Sequence, residues 1–361
     1  MDLYSELQTA FGAGRPILCY GMGDGADKLH AVLEVRGVEI ADTFASDGFV
    51  RGQLFRGKRV LSRSEALTKY PAPIVLVAFG SSLPDVIETV ESLAKICDLR
   101  IPDLPVSTDE NGSLTVFDEA FYESHRAELA AARALLADEY SRALFDDIVE
   151  YRLTGRLEPL FRRTYEGNEA FTSLLDYPCY RTALDLGAYT GDTARELFAL
   201  CPRLEKIVAL EPDPRSCKKL AAYAEGEPRL TALHAAAWDK SEPLLFAAKG
   251  NRNSAAGSAG SGAKTLEIPG LPPDEAAGGL PVDYIKYDVE GAEERALRGS
   301  AGLLRNCRPD LRVALYHRAR DLFALPLLVN ESMPGAALYL RRRKGFPAWD
   351  LELFVKGGNR K

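Results

Sequence analysis

The sequence predicts an α/β protein with two doubly wound, mostly parallel sheets joined by helices. Three observations carry this. Short, wholly apolar segments such as "APIVLVAFGS" and "TALDLGA" alternate with amphipathic ones, the pattern of strands buried on both faces and of crossover helices. The alternation occurs twice, interrupted by a charge-rich stretch with only helical spacing. Each run opens with a strand that passes into a glycine loop. A chain of 361 residues is long enough for two or three domains. They are expected at 1–108, 109–176 and 177–361.

In the first run "RPILCYG" is a strand. "DKLHAVLEVRG" is a helix whose Leu29, Val32 and Leu33 share a face, with Gly37 as its C-terminal stop. "VEIADTFASD" is a second strand and "SEALTKY" a short helix capped by Ser64. "APIVLVAFGS", "SLPDVIETVESLAKI" and "CDLRIPDL" continue as strand, helix and strand. The middle stretch from "FDEAFYESHR" to "EYRLTGR" reads as two or three helices, too apolar for a flexible linker. It is expected to pack between domains or to form a dimer surface. In the last run "TALDLGA", "KIVALEPD", "RLTALHAAAW", "VDYIKYD" and "DLRVALYH" are strands. "EPLLFAAKG" is a short additional strand, and "AALYLRRR" with "WDLELFVK" is a closing hairpin. "NRNSAAGSAGSGAK", 251–264, is small and polar and reads as a mobile loop.

The formal charge of −7 argues against a broad nucleic-acid surface. "RRRK", 341–344, reads as a solvated strand end. The six cysteines form no CxxC pair, which argues against a zinc ribbon or a redox dithiol. The N-terminus lacks a basic and apolar leader, and no apolar run is long enough to span a membrane. A cytoplasmic protein is expected.

The first glycine loop, "CYGMGDGADK", places Gly21, Gly23 and Gly25 in a GxGxG spacing, short of the dinucleotide GxGxxG because position 26 is Ala. Asp47 ends the next strand. Two readings stand: a nucleotide or nucleotide-sugar site, or a glycine turn kept for close packing.

The second loop, "LDLGAYTGDT", differs. Asp185 nears the end of its strand, Gly187 and Gly191 flank the loop, Glu211 ends the second strand in "ALEPDP", and Asp239 follows the third in "AAAWD". A strand-end carboxylate holds an ammonium, glycines let backbone approach a ligand, a second acid accepts ribose hydroxyls, and a third accepts from an exocyclic amine. S-adenosylmethionine carries all four groups. A dinucleotide would set its pyrophosphate beside acids.

Residues 180–300 resemble an FkbM-type methyltransferase, a family of S-adenosylmethionine-dependent enzymes of class I fold. The segments that carry this are "LDLGAYTGDT", "VALEPDP", "HAAAWDKS" and above all "IKYDVEGAEERALRG". "VALYHRARDLFALPLL" and "YLRRRKGFPAWDLELF" resemble the ends of FkbM-type proteins that carry an N-terminal Rossmann-like domain. The resemblance implies a mostly parallel seven-stranded sheet behind a smaller Rossmann-like domain and a helical connector. It implies S-adenosylmethionine as cofactor and O-methylation of a sugar, glycan precursor or related hydroxyl, with ties to polysaccharide biosynthesis. The cofactor residues are then Asp185, Gly187, Ala188, Tyr189, Gly191, Glu211, Pro212, Asp213, Ala237, Trp238 and Asp239. One segment departs: "LEIPGLPPDEAAGG" stands where the family carries Thr-Leu-Asp.

Methyl transfer to a hydroxyl asks for alignment, exclusion of water and a nearby base. Asp288 ends the fourth strand and is the first candidate, as base or substrate anchor. His317, Lys286 and Glu290 follow. Glu293 reads as a helix-dipole acid, and no resident metal is expected. His30, His125 and His234 read as structural. Two other functions remain open: an NAD(P) oxidoreductase binding at Gly21–Gly25, and a non-catalytic nucleotide-binding protein with an inactive methyltransferase fold.

Overall fold

The computed structural model describes residues 1–109, 112–165, 172–247, 255–256 and 265–358. The stretch 251–264, apart from Ala255–Ala256, lies outside them.

The N-terminal sheet is built from β1 (Ile17–Tyr20), β2 (Asp42–Ala45), β3 (Leu61–Ser62), β4 (Ile74–Val77) and β5 (Asp98–Arg100). They run parallel in the order β3-β2-β1-β4-β5. β1, β2 and β4 are buried along their whole length, and β1 and β4 accordingly read as continuous apolar runs. Helices α1 (Leu3–Gly12), α2 (Asp24–Val35), α3 (Arg63–Lys69) and α4 (Pro84–Ala94) accompany them. The cap of α3 is Ser62, not Ser64. Ser62 and Glu65 form a reciprocal capping box, which satisfies two amides at once.

Among the described residues there follow α5 (Glu119–Ser124), α6 (Arg126–Ala134), α7 (Glu139–Thr154) and α8 (Leu157–Arg162). α7 ends at Gly155, whose φ of +62° is the left-handed stop. These helices pack onto the C-terminal sheet of the same chain. Arg152 of α7 donates to the carbonyls of Leu315 and Ala319. Ser141 accepts from the Leu340 amide, and Arg341 pairs with Asp138 at 2.7 Å.

"RRRK" is therefore not a solvated end. Arg341 and Arg342 are buried, and Arg342 donates to the carbonyls of Leu160, Gly345 and Pro347. Its guanidinium satisfies three backbone acceptors from two segments, the fork geometry for which arginine is suited.

The C-terminal sheet has seven strands: β6 (Thr182–Leu186), β7 (Lys206–Leu210), β8 (Leu230–Leu233), β12 (Tyr284–Tyr287), β13 (Asp310–Ala314), β14 (Ala337–Arg342) and β15 (Leu351–Lys356). Between β8 and β12 the chain forms a side sheet of β9 (Ala236–Ala237), β10 (Glu242–Ala247) and β11 (Thr265–Leu271). The main order is β8-β7-β6-β12-β13-β15-β14, with only β15 antiparallel to its neighbours. The closing hairpin is as expected, and β10 is the expected additional strand. β11 is a strand that the sequence hides, because Pro269 and Gly270 interrupt its pattern. Pro269 stands opposite Pro243 at the register. α9 (Asp192–Leu200), α10 (Pro214–Glu225), α11 (Glu293–Arg298), α12 (Ala301–Asn306) and α13 (Asp321–Ser332) pack on the sheet. Among the described residues no helix is long and apolar enough to cross a membrane.

Candidate active site

The order of the strands reverses at β6, and the C-terminal ends of β6, β7 and β12 open onto a cavity of about 140 Å³. This is where a doubly wound sheet places a ligand. Gly187 follows β6 with φ +81°, and a Cβ there would stand 1.9 Å from the carbonyl oxygen of Asp288. Only glycine lets these two strand ends come so close.

Glu211 sits at the end of β7. Its Oε2 accepts from the Tyr189 amide at 2.7 Å and its Oε1 from the Asp213 amide at 2.8 Å. Two backbone donors fix the carboxylate while each oxygen keeps a lone pair free for a ligand hydroxyl. Burial raises its pKa to about 7 against the effect of those amides. Asp213 caps α10 by accepting from the amides of Arg215 and Ser216.

Asp185 is completely buried, and neither carboxylate oxygen has a hydrogen-bond partner. Burial raises its pKa to about 6, opposed by the charge of Lys286. It lies behind the cavity wall; Gly187 and Asp192 take the surface.

At the β12 end stands an ionic cluster. Lys286 Nζ lies 3.2 Å from Asp288 Oδ2, and Tyr316 donates its hydroxyl to Asp288 Oδ1 at 3.1 Å. Burial would raise the pKa of Asp288, but Lys286 and His317 lower it to about 2. Glu290 sits in the left-handed region at φ +55°, an unusual place for a residue with a Cβ and a mark of local constraint. Burial raises its pKa to about 7.

His317 is fully buried. Its Nδ1 lies 2.9 Å from Glu293 Oε1, and its Nε2 lies 3.5 Å from Glu290 Oε2 and 3.6 Å from Asp288 Oδ1. Burial alone would lower its pKa, but the carboxylates of Glu293, Glu290 and Asp288 raise it to about 10. The ring is an imidazolium holding three acids together. Glu293 is not an exposed helix-dipole acid: it is buried, and its Oε1 accepts from the Val289 amide at 2.8 Å.

Asp288, Glu293 and His317 also form a group able to hold a metal, with donor atoms within 4.8 Å of one another. The imidazolium already supplies positive charge at that point.

The turn that carries Glu290 is clamped from the N-terminal side. Ser107 Oγ donates to the Glu290 carbonyl at 2.5 Å, and the Ser107 amide donates to the His317 carbonyl at 2.9 Å. Gly291 makes room for this contact, since a Cβ there would meet Ser107 Oγ at 2.5 Å.

Of the residues expected from the sequence, Gly187, Tyr189, Glu211, Pro212, Asp213, Ala237, Lys286, Asp288 and Glu290 line the cavity. Ala188 and Gly191 shape the loop behind it, with the Gly191 amide donating to the Ala188 carbonyl. Trp238 and Asp239 are turned elsewhere. The indole of Trp238 donates to Glu242 at 3.0 Å, and Asp239 pairs with Arg295 at 2.9 Å. Arg295 takes Asp239 Oδ2, while Asp239 Oδ1 is buried without a hydrogen-bond partner. Tyr316 and Asp350 also line the cavity and were not singled out from the sequence. Asp350 lies within "YLRRRKGFPAWDLELF", in the loop between β14 and β15, and the hairpin's return to the sheet end brings it here.

The first glycine loop reads differently in three dimensions. A Cβ on Gly25 would stand 2.3 Å from the Ala78 carbonyl oxygen, which is close packing of helix on strand. Asp24 and Asp27 occupy the first turn of α2, where they oppose a phosphate. Lys28 Nζ is bound to the carbonyls of Pro105 and Val106 and to Asp24. Asp47 accepts from Ser64.

The comparisons with known proteins meet this geometry at the second loop. Residues 185–346 match the family described as the methyltransferase FkbM domain. The chain carries an FkbM methyltransferase domain. The crystal structure of methyltransferase FkbM from Methylobacillus flagellatus KT is similar over 98% of this chain and 94% of that chain, with 18% identity and a TM-score of 0.73. That likeness extends the shared fold across the N-terminal sheet as well. Precorrin-6y C5,15-methyltransferase from Geobacter metallireducens GS-15 is similar over 52% of this chain and 84% of that chain, with 12% identity and a TM-score of 0.31. A SAM-dependent methyltransferase from Aquifex aeolicus is similar over 52% and 87%, with 11% identity and a TM-score of 0.30. No curated protein matches the chain.

The C-terminal sheet, which carries the matched domain, thus has the class I methyltransferase fold, and S-adenosylmethionine is its cofactor. The residues fit that molecule. Glu211 presents fixed acceptors, Gly187 leaves backbone exposed to the cavity, and the orphaned carboxylate of Asp185 places negative charge behind the loop.

Proposed function

We propose that this protein is an S-adenosylmethionine-dependent O-methyltransferase acting on a hydroxyl of a sugar, a glycan precursor or a related small metabolite. The observation that carries the reading is the Asp288–Glu290–His317 cluster at the end of the cofactor cavity. An acceptor oxygen is a weak nucleophile that must lose its proton as the new O–C bond forms, so it needs a proton acceptor beside it.

Glu211 would hold the ribose, and the loop from Gly187 to Tyr189 would lie against the amino-acid end. The cofactor supplies a methyl group already activated on a sulfonium. The protein's own residues do the rest. Asp288 has both oxygens engaged, one by Lys286 and one by Tyr316, so it acts as a fixed charged anchor for the acceptor. Glu290 lines the same cavity and contacts only His317 among its described ion-pair partners, which leaves it to receive the proton. His317 does not line the cavity; it positions Asp288 and Glu290. Lys286 serves Asp288.

The acceptor side offers aromatic faces at Tyr316 and Trp349, hydroxyls at Ser81 and Ser82, and acids at Glu290 and Asp350. That set suits a neutral polyol better than a phosphorylated anion. It also argues against a nucleotide sugar at Gly21–Gly25.

The pH dependence follows from Glu290. Its pKa is raised to about 7, so it is protonated and useless as a base below that value. Methyl transfer at saturating acceptor should fall roughly tenfold per pH unit below the midpoint. Asp288, His317 and Lys286 act on the same group, Asp288 titrating below this range and His317 and Lys286 above it, and Glu293 pairs with the other nitrogen of His317. In Glu290→Gln the acidic limb should vanish along with most of the rate. An unchanged acidic limb in that variant would remove Glu290 from the role.

The direct test of the reaction is incubation with deuteromethyl-labelled S-adenosylmethionine and three acceptor sets: neutral mono- and oligosaccharides, nucleotide sugars, and amines. Label should appear as an ether on a neutral polyol. Label found only on nitrogen would overturn the O-methyl reading.

A further inference from the structure

The cofactor cavity does not end at the cluster. A second cavity of about 260 Å³ shares Glu290, Tyr316 and Asp350 with it. A third, of about 240 Å³, shares Gly80, Val106, Pro347 and Trp349 with the second. The three cavities therefore form a row with common walls, from the end of β6 to the glycine loop after β1. The third lies within reach of the N-terminal sheet, and its walls are chiefly apolar: Met22, Val77, Phe79, Ile101, Leu104 and Trp349. Its cation, Lys28, is held by two carbonyls and Asp24.

Gly80, Val106, Pro347 and Trp349 line both the second and the third cavity, and the Trp349 ring lies close against the Gly80 backbone. A Cβ on Gly80 would stand 2.4 Å from that ring. The row is held in register by Ser107, which ties the N-terminal segment to the Glu290 turn.

We infer that the N-terminal sheet supplies the far half of the acceptor site, and that the acceptor has two parts. Its hydroxyl-bearing head lies between Asp288, Glu290 and Trp349, and a covalently attached apolar tail, an alkyl or aryl aglycone, fills the cavity walled by Met22, Phe79 and Leu104. This rests on the acceptor reading given above for the head. The tail follows from the cavity itself. An apolar enclosure with acids at the helix start binds neither phosphate nor a dinucleotide well, whereas each buried methylene gains affinity there. The shared walls make one continuous site out of the reacting end and this enclosure, which commits the occupant to the acceptor rather than to a separate ligand.

The test uses the full chain with Trp238→Phe, so that Trp349 is its sole tryptophan and reports binding by fluorescence. n-Alkyl β-D-glucosides from methyl to octyl, all below micelle concentration, are titrated in the presence of S-adenosylhomocysteine. A parallel series of n-alkanols carries the same tails on a different head. Affinity should rise by up to about fourfold per added methylene until the cavity is full, in both series. Met22→Asp, whose folding is checked by S-adenosylhomocysteine affinity, should abolish that rise. Affinity independent of tail length would overturn the inference. So would a tail-length dependence that survives Met22→Asp, or ADP binding that Met22→Asp weakens. A tail effect without methylation of any glycoside leaves this inference standing and counts against the sugar reading alone.

Discussion

Glu211→Ala is expected to weaken S-adenosylmethionine binding by about 100-fold, measured by isothermal titration. The side chain is asked to accept two ribose hydroxyls, and hydrogen bonds to a charged acceptor contribute about 1.5–3 kcal/mol each. Loss of the pair therefore exceeds a factor of ten even at the low end. The change also frees the amides of Tyr189 and Asp213, which Glu211 now holds. Glu211→Gln separates the two effects. It keeps an acceptor and the side-chain shape, and should retain part of the affinity. Binding within twofold of the parent in Glu211→Ala would place the cofactor elsewhere.

Asp288→Asn is expected to do the opposite. Cofactor affinity should stay within a few fold, and kcat should fall about 100- to 1000-fold. The amide keeps the shape and the bond from Tyr316, yet loses the charge that Lys286 and His317 hold in place. Losses of this size are typical when a preorganised charge or base is removed from a reacting centre. Lys286 would be left buried without a full partner, so a lower thermal midpoint is expected too. The decisive readout is the split between binding and turnover. A variant that keeps its rate would remove Asp288 from the chemistry.

These two residues were legible because each ends a buried strand, and strand ends of a doubly wound sheet face the ligand. Period and glycine punctuation suffice to find Glu211 and Asp288. What the sequence concealed is of three kinds. Asp239 Oδ2 is paired with Arg295, a partner 56 residues away that no local pattern announces. β11 carries a proline and a glycine that mask its strand character, although Pro269 meets another proline across the ladder. Glu293 looks like a helix-dipole acid until the fold brings His317 against it. "RRRK" failed for the same reason: charge density argues for solvent, yet Arg342 is consumed by three carbonyls of two separate segments.

The role of the first glycine loop could not be decided from spacing. Gly25 is explained by the Ala78 carbonyl, an approach visible only once helix and strand are packed. The acids that follow it then turn the loop away from phosphate binding. The continuity of the cavities through Trp349 likewise depends on residues drawn from 22 to 350.

The measurement that bears most directly on this account is a crystal structure of the protein with S-adenosylhomocysteine. The account predicts the ribose on Glu211 and the sulfur end directed at Asp288 and Glu290. Density for the ligand in the Gly21–Gly25 cavity, or a ribose placed away from Glu211, would contradict it.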